Sequence, residues 1–226
     1  MTKLYFNKEF LQFFSTLREN NSKEWFDANR ATYEKMVKNP FLDFVTDALA
    51  ILSKYEPVPL QNPKKCIFRI NRDIRFSANK TPYKTNVSAI ISSASDKSLD
   101  IPSFYIDFSD QKLMMGGGAY FIDNKILPNV REYIVNNYDT YLELISDKAF
   151  TDFYGEIKGE ENKRLSGVFK GLEIKYPEIL KKQFYFMKEF EPSLLLSENL
   201  LDKFEDSIRS GLKFNQFLYK AFQHNT

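Results

Sequence analysis

Four short strand-like patterns follow one another between about residues 65 and 121, and they constrain the fold more than any other feature. The patterns are "KCIFRINRDIRF", "VSAIISSAS", "SFYIDFSD" and "QKLMMGGGAYF". Alternating or continuous apolar residues of this length, bounded by turn-forming residues, are typical of β-strands. The connections between them are shorter than the dozen or more residues that a parallel crossover needs. The sequence therefore predicts a mainly antiparallel sheet.

Helical patterns precede these strands. Asn7 is placed to cap a first helix, because the apolar residues after it recur at spacings of three and four. Asn21 and Glu24 resemble a capping box that opens a second helix, which runs to about residue 37. Pro40 suits the first turn of a third helix. Three helices are thus expected before the first strand.

Helical patterns also follow the strands. One begins at Leu127 with Pro128 in its first turn, and a short one covers 141–147. The segment "KKQFYFMKEFEP" is predicted to supply an edge strand. Ser197 caps a closing helix that is expected to break near Gly211 and continue to Phe222.

This order of elements predicts an α+β fold, with a central, mainly antiparallel sheet flanked by N-terminal and C-terminal helices. A chain of 226 residues fits one domain, 1–226, large enough to bury a core without metals or disulfides. Its parts are a helical N-terminal part at about 7–55, a sheet at about 65–121 and a mixed helical part at about 127–223.

Composition excludes several classes of protein. Cys66 is the only cysteine, so no intramolecular disulfide is expected and a cytoplasmic location is predicted. The longest apolar region, "FLDFVTDALAIL", is too short to cross a bilayer, and no signal peptide is recognised. His224 is the only histidine, which argues against a histidine-based triad or zinc site. No metal site is predicted and no cofactor is implied.

The strongest functional signal is a local excess of positive charge. The whole chain carries a formal charge of +2, but residues 63–86 carry +6. Within them, Arg69, Asn71, Asp73 and Arg75 fall on one face of the predicted strand by period two, so two guanidinium groups could converge on a phosphate or carboxylate. Asp73 is the candidate orienting residue or general base. The predicted ligands of the anion in this segment are Arg69, Arg72, Arg75, Ser77, Lys80, Thr81, Tyr83 and Lys84. The alternative is a solvated basic loop with structural ion pairs.

Three consecutive glycines form the second candidate. Gly116, Gly117 and Gly118 follow a strand pattern and would let backbone N–H groups approach a ligand. Their spacing matches neither a P-loop nor a dinucleotide-binding fingerprint. A bulge or tight turn is the alternative interpretation.

Several of these segments together resemble one known family, the domain of unknown function 2461. The resemblance depends on "NNSKEWFDANRATYE" (21–35), "RINRDIRFSANKTPYKTN" (69–86), "PSFYIDF" (102–108) and "GGGAYF" with the helix after it. The segment "RLSGVFKGLEIKYPEIL" departs from the basic, proline-containing sequence of the family in that region. The resemblance implies a single α+β domain and brings no activity, cofactor or substrate.

Three functions are consistent with these residues. The first is binding of a small ligand that carries phosphate or carboxylate in a basic cleft, with or without catalysis. The second is a protein–protein interaction module, for which tyrosine and arginine enrichment is typical. The third is nucleic-acid binding through residues 63–86, where aromatic residues alternate with basic ones. The acidic remainder of the chain disfavours the third.

Overall fold

A computed structural model describes residues 3–57, 62–92 and 101–224. The end of the second predicted strand, 93–95, lies outside these ranges. The structure has helices before and after a four-stranded antiparallel sheet, so the predicted α+β class is confirmed. In the described ranges, no helix is both long and apolar enough to span a membrane.

The α-helices of the described ranges are α1 (Lys8–Glu19), α2 (Lys23–Ala28), α3 (Arg30–Tyr33), α4 (Asn39–Leu52), α5 (Pro63–Cys66), α6 (Leu127–Asn136), α7 (Tyr138–Ser146), α8 (Lys148–Tyr154) and α9 (Leu200–Phe222). A π-helical turn, Glu34–Lys38, joins α3 directly to α4. The strands are β1 (Val87–Ile91), β2 (Ser103–Phe108), β3 (Leu113–Ala119) and β4 (Phe184–Phe190). They lie in the order β1-β2-β3-β4, which places β4 at an edge as predicted.

The first helices form for the reasons expected from the sequence. The Asn7 side chain accepts hydrogen bonds from the backbone N–H groups of Glu9 and Phe10, which satisfies two otherwise free donors at the start of α1. Pro40 lies in the first turn of α4. The apolar stripe of α1 is buried as predicted and consists of Phe10, Phe13, Phe14 and Leu17.

The described residues divide into two compact units. The first comprises 3–57, 62–92, 105–115 and 189–206, and the second comprises 101–104, 116–188 and 207–224. Phe44 on α4 lies at the centre of the first core. Its ring centroid is 5.1 Å from Tyr5, 5.2 Å from Phe108 and 6.0 Å from Phe204, each at a steep interplanar angle. Edge-to-face contacts of this kind stabilise a core beyond the area that they bury.

The second core is built around Phe186 on β4. Its ring centroid is 4.5 Å from Tyr154 and 5.4 Å from Phe150, and both partners are buried residues of α8. The Tyr154 hydroxyl donates to the carbonyl oxygen of Ser207 at 2.7 Å, so its polar atom is satisfied inside the core. The sequence did not predict α8.

Two helix predictions were wrong. Ser22, not Asn21, caps α2, because its hydroxyl accepts from the Trp25 N–H at 3.2 Å. The closing helix α9 does not break at Gly211 but continues through it. A Cβ atom at position 211 would lie 2.4 Å from the Phe186 ring, so the glycine allows close packing and does not end the helix.

Candidate functional site

Residues 63–86, the basic segment, form an irregular hairpin, called the basic hairpin below, and not the predicted strand. The short helix α5 occupies its start, and only isolated bridges follow, from Ile67 to Ala89 and from Asn71 to Tyr83. The Asp73 carboxylate accepts a hydrogen bond from the backbone N–H of Arg75 at 3.2 Å. A side chain that bonds its own backbone two residues on favours a turn over an extended ladder. The strand predicted over "KCIFRINRDIRF" is therefore wrong.

Arg72 points into this hairpin and holds it together. Its guanidinium donates to the Thr81 hydroxyl, to the Thr81 carbonyl oxygen at 3.2 Å and to the Ser77 hydroxyl at 3.3 Å. Thr81 is bonded in turn to the Asn79 side chain, through both its N–H and its hydroxyl, at 2.9 Å each. Three of the predicted anion ligands thus bind one another.

Asp73 and Arg75 form an exposed ion pair with two parallel contacts. Arg75 Nε lies 3.0 Å from Asp73 Oδ1, and Arg75 Nη2 lies 2.7 Å from Asp73 Oδ2. The Arg75 side chain, followed by its backbone N–H, lowers the pKa of Asp73. A carboxylate held in this way is a weaker base than a free one.

The remaining predicted ligands of the hairpin also have partners within the protein. Lys80 donates to the Ile74 carbonyl oxygen at 2.9 Å. The Lys84 ammonium group lies 5.3 Å from the centroid of the Phe68 ring, a cation–π distance. Tyr83 is buried, and its ring stacks on Phe26 with centroids 4.0 Å apart.

Arg69 is the exception. Its side chain is exposed, and it makes no hydrogen bond or ion pair with any residue in the described ranges. It lines a cleft of about 490 Å³ in the first unit. The charged residues that line this cleft are Arg30, Glu34, Lys38, Lys64 and Arg69. Among the described lining residues, four cations thus face one carboxylate, which makes the cleft strongly basic.

The cations of the cleft differ in how far they are already neutralised. Arg30 pairs with Asp27, and Lys38 pairs with Glu34 at 3.4 Å. The Lys64 ammonium group, like the Arg69 guanidinium, has no hydrogen-bond or ion-pair partner among the residues that the structure describes; the Lys64 backbone N–H donates to the Asn62 side chain at 3.1 Å. Lys64 and Arg69 are therefore the two positive charges most available to a ligand.

The neutral residues of the cleft add hydrogen-bonding groups. Burial, and then the neighbouring Glu34 carboxylate, raises the pKa of Tyr33 to about 12. Its hydroxyl therefore keeps its proton at neutral pH and can donate to an anion. Asn71 lines the same cleft and is exposed.

Glu34 and Lys38, on the helical wall of the cleft, were missed as site residues. Arg30, Glu34 and Lys38 recur every four residues, which is the spacing of one helix face. That spacing was the available signal. Asn21 was also missed in its structural role: its side-chain amide bonds the backbone of Tyr83, which lines the cleft.

The three glycines lie in the second unit, inside β3, and all are buried. A Cβ atom at Gly116 would lie 2.1 Å from the Phe186 carbonyl oxygen, and one at Gly118 would lie 2.3 Å from that of Phe184. Gly118 also has φ +98°, a conformation that other residues rarely adopt. The close approach of β4 explains why this stretch has no side chains. Gly116, Gly117 and Gly118 as ligand residues stay a prediction.

Asp107 lies on β2, within the segment "PSFYIDF" that contributes to the family resemblance, and its carboxylate is buried. One oxygen, Oδ2, accepts from Asn86 Nδ2 at 2.8 Å and from the Tyr105 hydroxyl at 3.0 Å. The other, Oδ1, is buried and has no hydrogen-bond partner in the described ranges. Burial raises the pKa of Asp107, while the bonds from Tyr105 and Asn86 oppose that rise. In the same ranges, no three His, Cys, Asp or Glu side chains form a group that could hold a metal ion.

Comparison with known proteins supports the resemblance found in the sequence. A family model described as "Conserved hypothetical protein (DUF2461)" matches residues 9–217. The match covers most of the chain, and the protein therefore belongs to this family. No curated protein matched the sequence.

Proposed function

We propose that the protein binds a small ligand that carries phosphate or carboxylate groups, and that the cleft between the helical wall and the start of the basic hairpin is the binding site. The observation that carries this proposal is the pair of unpartnered cations, Lys64 and Arg69, on one cleft of about 490 Å³. That volume suits a small molecule. Two free cations and two partly neutralised ones favour an anion over a neutral ligand.

Each lining group has a distinct part in this proposal. Arg69 offers a planar fork of donors, which matches the oxygen geometry of a phosphate or carboxylate. Lys64 supplies a second, compact positive charge, and the Tyr33 hydroxyl a neutral donor. Arg30 and Lys38 are expected to contribute less, because each already has a carboxylate partner.

The test is a thermal-shift screen with inorganic phosphate and a panel of phosphorylated and carboxylated metabolites, followed by titration calorimetry of any compound that stabilises the protein. Arg69→Ala and Lys64→Ala should each weaken binding by about ten-fold, as expected for loss of a charge-assisted hydrogen bond. Lys65→Ala is the matched control, because Lys65 is the exposed neighbour on α5 and does not line the cleft.

Two results would contradict the proposal. One is the absence of stabilisation by any anionic compound at millimolar concentration. The other is binding that Lys65→Ala weakens as much as Arg69→Ala does, since the site would then depend on general surface charge and not on the cleft.

One observation favours nucleic-acid binding as a second candidate. The Phe76 side chain is 96% exposed, and the Arg75 guanidinium lies 5.8 Å from its ring centroid. An exposed ring beside a basic group can stack on a base of single-stranded nucleic acid. Affinity for an oligonucleotide should then fall steeply with salt and fall further in Phe76→Ala. If neither metabolites nor oligonucleotides bind, an interaction module is the remaining candidate.

A further inference from the structure

The second unit contains a cleft of its own, of about 480 Å³, beyond the end of β3. Its lining includes the residues that follow the strand, the N-terminal part of α6, and Glu160, Asn162, Lys182 and Gln183. Tyr120 is 63% exposed and Phe121 is 51% exposed, so two neighbouring aromatic side chains remain largely open to solvent here. Exposed rings that line a cleft are typical of a binding site.

One of these rings is held in place before any ligand binds. The Tyr120 ring contacts the Tyr185 ring with centroids 5.0 Å apart and an interplanar angle of 64°. A ring that is already fixed by an edge contact loses little conformational freedom when a ligand packs against it. The cleft therefore presents a flat apolar surface at low entropic cost.

Arg131 supplies positive charge to the same cleft. Its Nε donates to the Ile179 carbonyl oxygen at 2.8 Å, and Nη2 donates to that of Lys181 at 3.3 Å. Nη1 has no acceptor in the described ranges, and no described carboxylate lies within ion-pair distance of the guanidinium. Burial lowers the pKa of Arg131, the direction expected for a partly buried guanidinium that has no carboxylate beside it. A ligand anion at Nη1 would complete the compensation.

The other charged residues that line the cleft balance each other, so the cleft fits a ligand with a single negative charge. Lys182 lies 3.7 Å from the Glu160 carboxylate, so these two residues largely balance each other. The Gln183 side-chain oxygen accepts from the Glu160 N–H at 3.3 Å, which leaves its amide N–H groups to donate. The described residues that line the cleft therefore carry one unbalanced positive charge, which is that of Arg131.

We infer that this cleft binds a small molecule with a flat ring and one carboxylate group, an aromatic carboxylate. The ring packs against Tyr120 and Phe121, and the carboxylate accepts from Arg131 Nη1. This site is independent of the basic cleft in the first unit, since it has other residues and fits a ligand of lower charge.

Titration calorimetry with three matched probes tests the inference. Indole-3-carboxylate should bind, whereas its neutral amide, which lacks the charge, should bind about ten-fold more weakly. Cyclohexanecarboxylate, which keeps the charge but has no flat ring, should bind roughly five-fold more weakly. Equal binding of all three probes would overturn the inference, as would no binding of indole-3-carboxylate at millimolar concentration.

Variants assign the site. Tyr120→Ala should weaken the binding of indole-3-carboxylate by roughly five-fold, and Arg131→Gln should weaken it by about ten-fold. Because Arg131 also supports two backbone carbonyls, its variant could lose stability; Tyr120 and Phe121 are exposed, so their variants keep the test independent of folding.

Phe76→Ala removes an exposed ring outside this cleft and should leave the affinity unchanged. Affinity that neither Tyr120→Ala nor Phe121→Ala lowers, or that Phe76→Ala lowers as much as they do, would contradict the assignment. Arg69→Ala, which changes only the basic cleft, should leave this affinity unchanged. An affinity that falls in Arg69→Ala but not in Tyr120→Ala would place the probe in the basic cleft and overturn the inference.

Discussion

Asn21 and Tyr83 are joined by two reciprocal hydrogen bonds. Asn21 Nδ2 donates to the Tyr83 carbonyl oxygen at 3.0 Å, and the Tyr83 N–H donates to Asn21 Oδ1 at 3.0 Å. The side-chain amide of one residue thus pairs with the backbone of the other as a neighbouring strand would. These bonds connect the residue before the α2 cap to the far arm of the basic hairpin.

Asn21→Ala should lower the free energy of unfolding by about 2 kcal/mol, because it leaves both backbone groups of the buried Tyr83 without partners. Urea denaturation measures this loss. Asn20→Ala is the control, since the Asn20 side chain is exposed and bonds only the Thr16 carbonyl oxygen among the described residues. Equal losses in the two variants would show that the Asn21 contact has no special role.

Arg72→Ala should loosen the hairpin, because the guanidinium bonds three acceptors on Ser77 and Thr81. Backbone amides of residues 73–81 should exchange with deuterium faster than in the wild type, and Arg72→Lys should restore little, since an ammonium group cannot reproduce the planar fork. Arg75→Ala, which removes only an exposed ion pair, should change exchange far less. Unchanged exchange in Arg72→Ala would contradict the role given to Arg72.

Asp107 should make stability depend on pH in an unusual direction. Its pKa in the folded protein is raised by burial, so the protonated form is favoured by folding. The stability that it contributes is present below its unfolded pKa of about 3.9 and is lost as pH rises through the folded value. In Asp107→Asn, the free energy of unfolding should no longer decline in this way when it is measured between pH 4 and 8.

Asp73 provides the contrast, because its folded pKa is lowered. Its contribution is present above the unfolded pKa and is lost as pH falls through the folded value. The free energy of unfolding of Asp73→Asn should therefore fall slightly less on acidification than that of the wild type. If both variants changed the pH profile in the same direction, the assignment of opposite shifts would be wrong.

Gly211→Ala should destabilise the protein, although helix propensity alone predicts a gain of about 1 kcal/mol. The added Cβ would lie 2.4 and 2.5 Å from two atoms of the Phe186 ring, and overpacking of this kind costs about 1–3 kcal/mol. Thermal unfolding of Gly211→Ala in a Phe186→Leu background is the control, since a smaller partner should relieve the clash. A more stable single variant would contradict the packing role of this glycine.

The parts of the fold that depend on local signals could be predicted from sequence. Asn7, Pro40 and Pro128 mark helix starts through their own chemistry, and the apolar stripes after them face the core. The edge position predicted for β4 is likewise confirmed. Gly211 was misread because its reason for being glycine is a ring on another element, and no local pattern contains that information.

The candidate site was predictable only in part. Arg69 was recognised from the concentration of positive charge, and it lines the basic cleft. The prediction that Arg69, Asn71, Asp73 and Arg75 share one strand face assumed that the period of two continues beyond residue 72. The turn at Asp73 ends the extended backbone there. The contribution of Lys38 depends on how the helical wall packs on the hairpin, which is a tertiary property.

The π-helical turn Glu34–Lys38 has a consequence for the evolution of this family. It accommodates one residue more than an α-helical turn while the chain continues as helix on both sides. Deleting a single residue between 34 and 38 would restore regular α-helical winding and rotate Arg30 by about 100° relative to the buried face of α4. Homologues that lack this extra residue should therefore have lost the arginine from the cleft, or have replaced it with a cation at a neighbouring position.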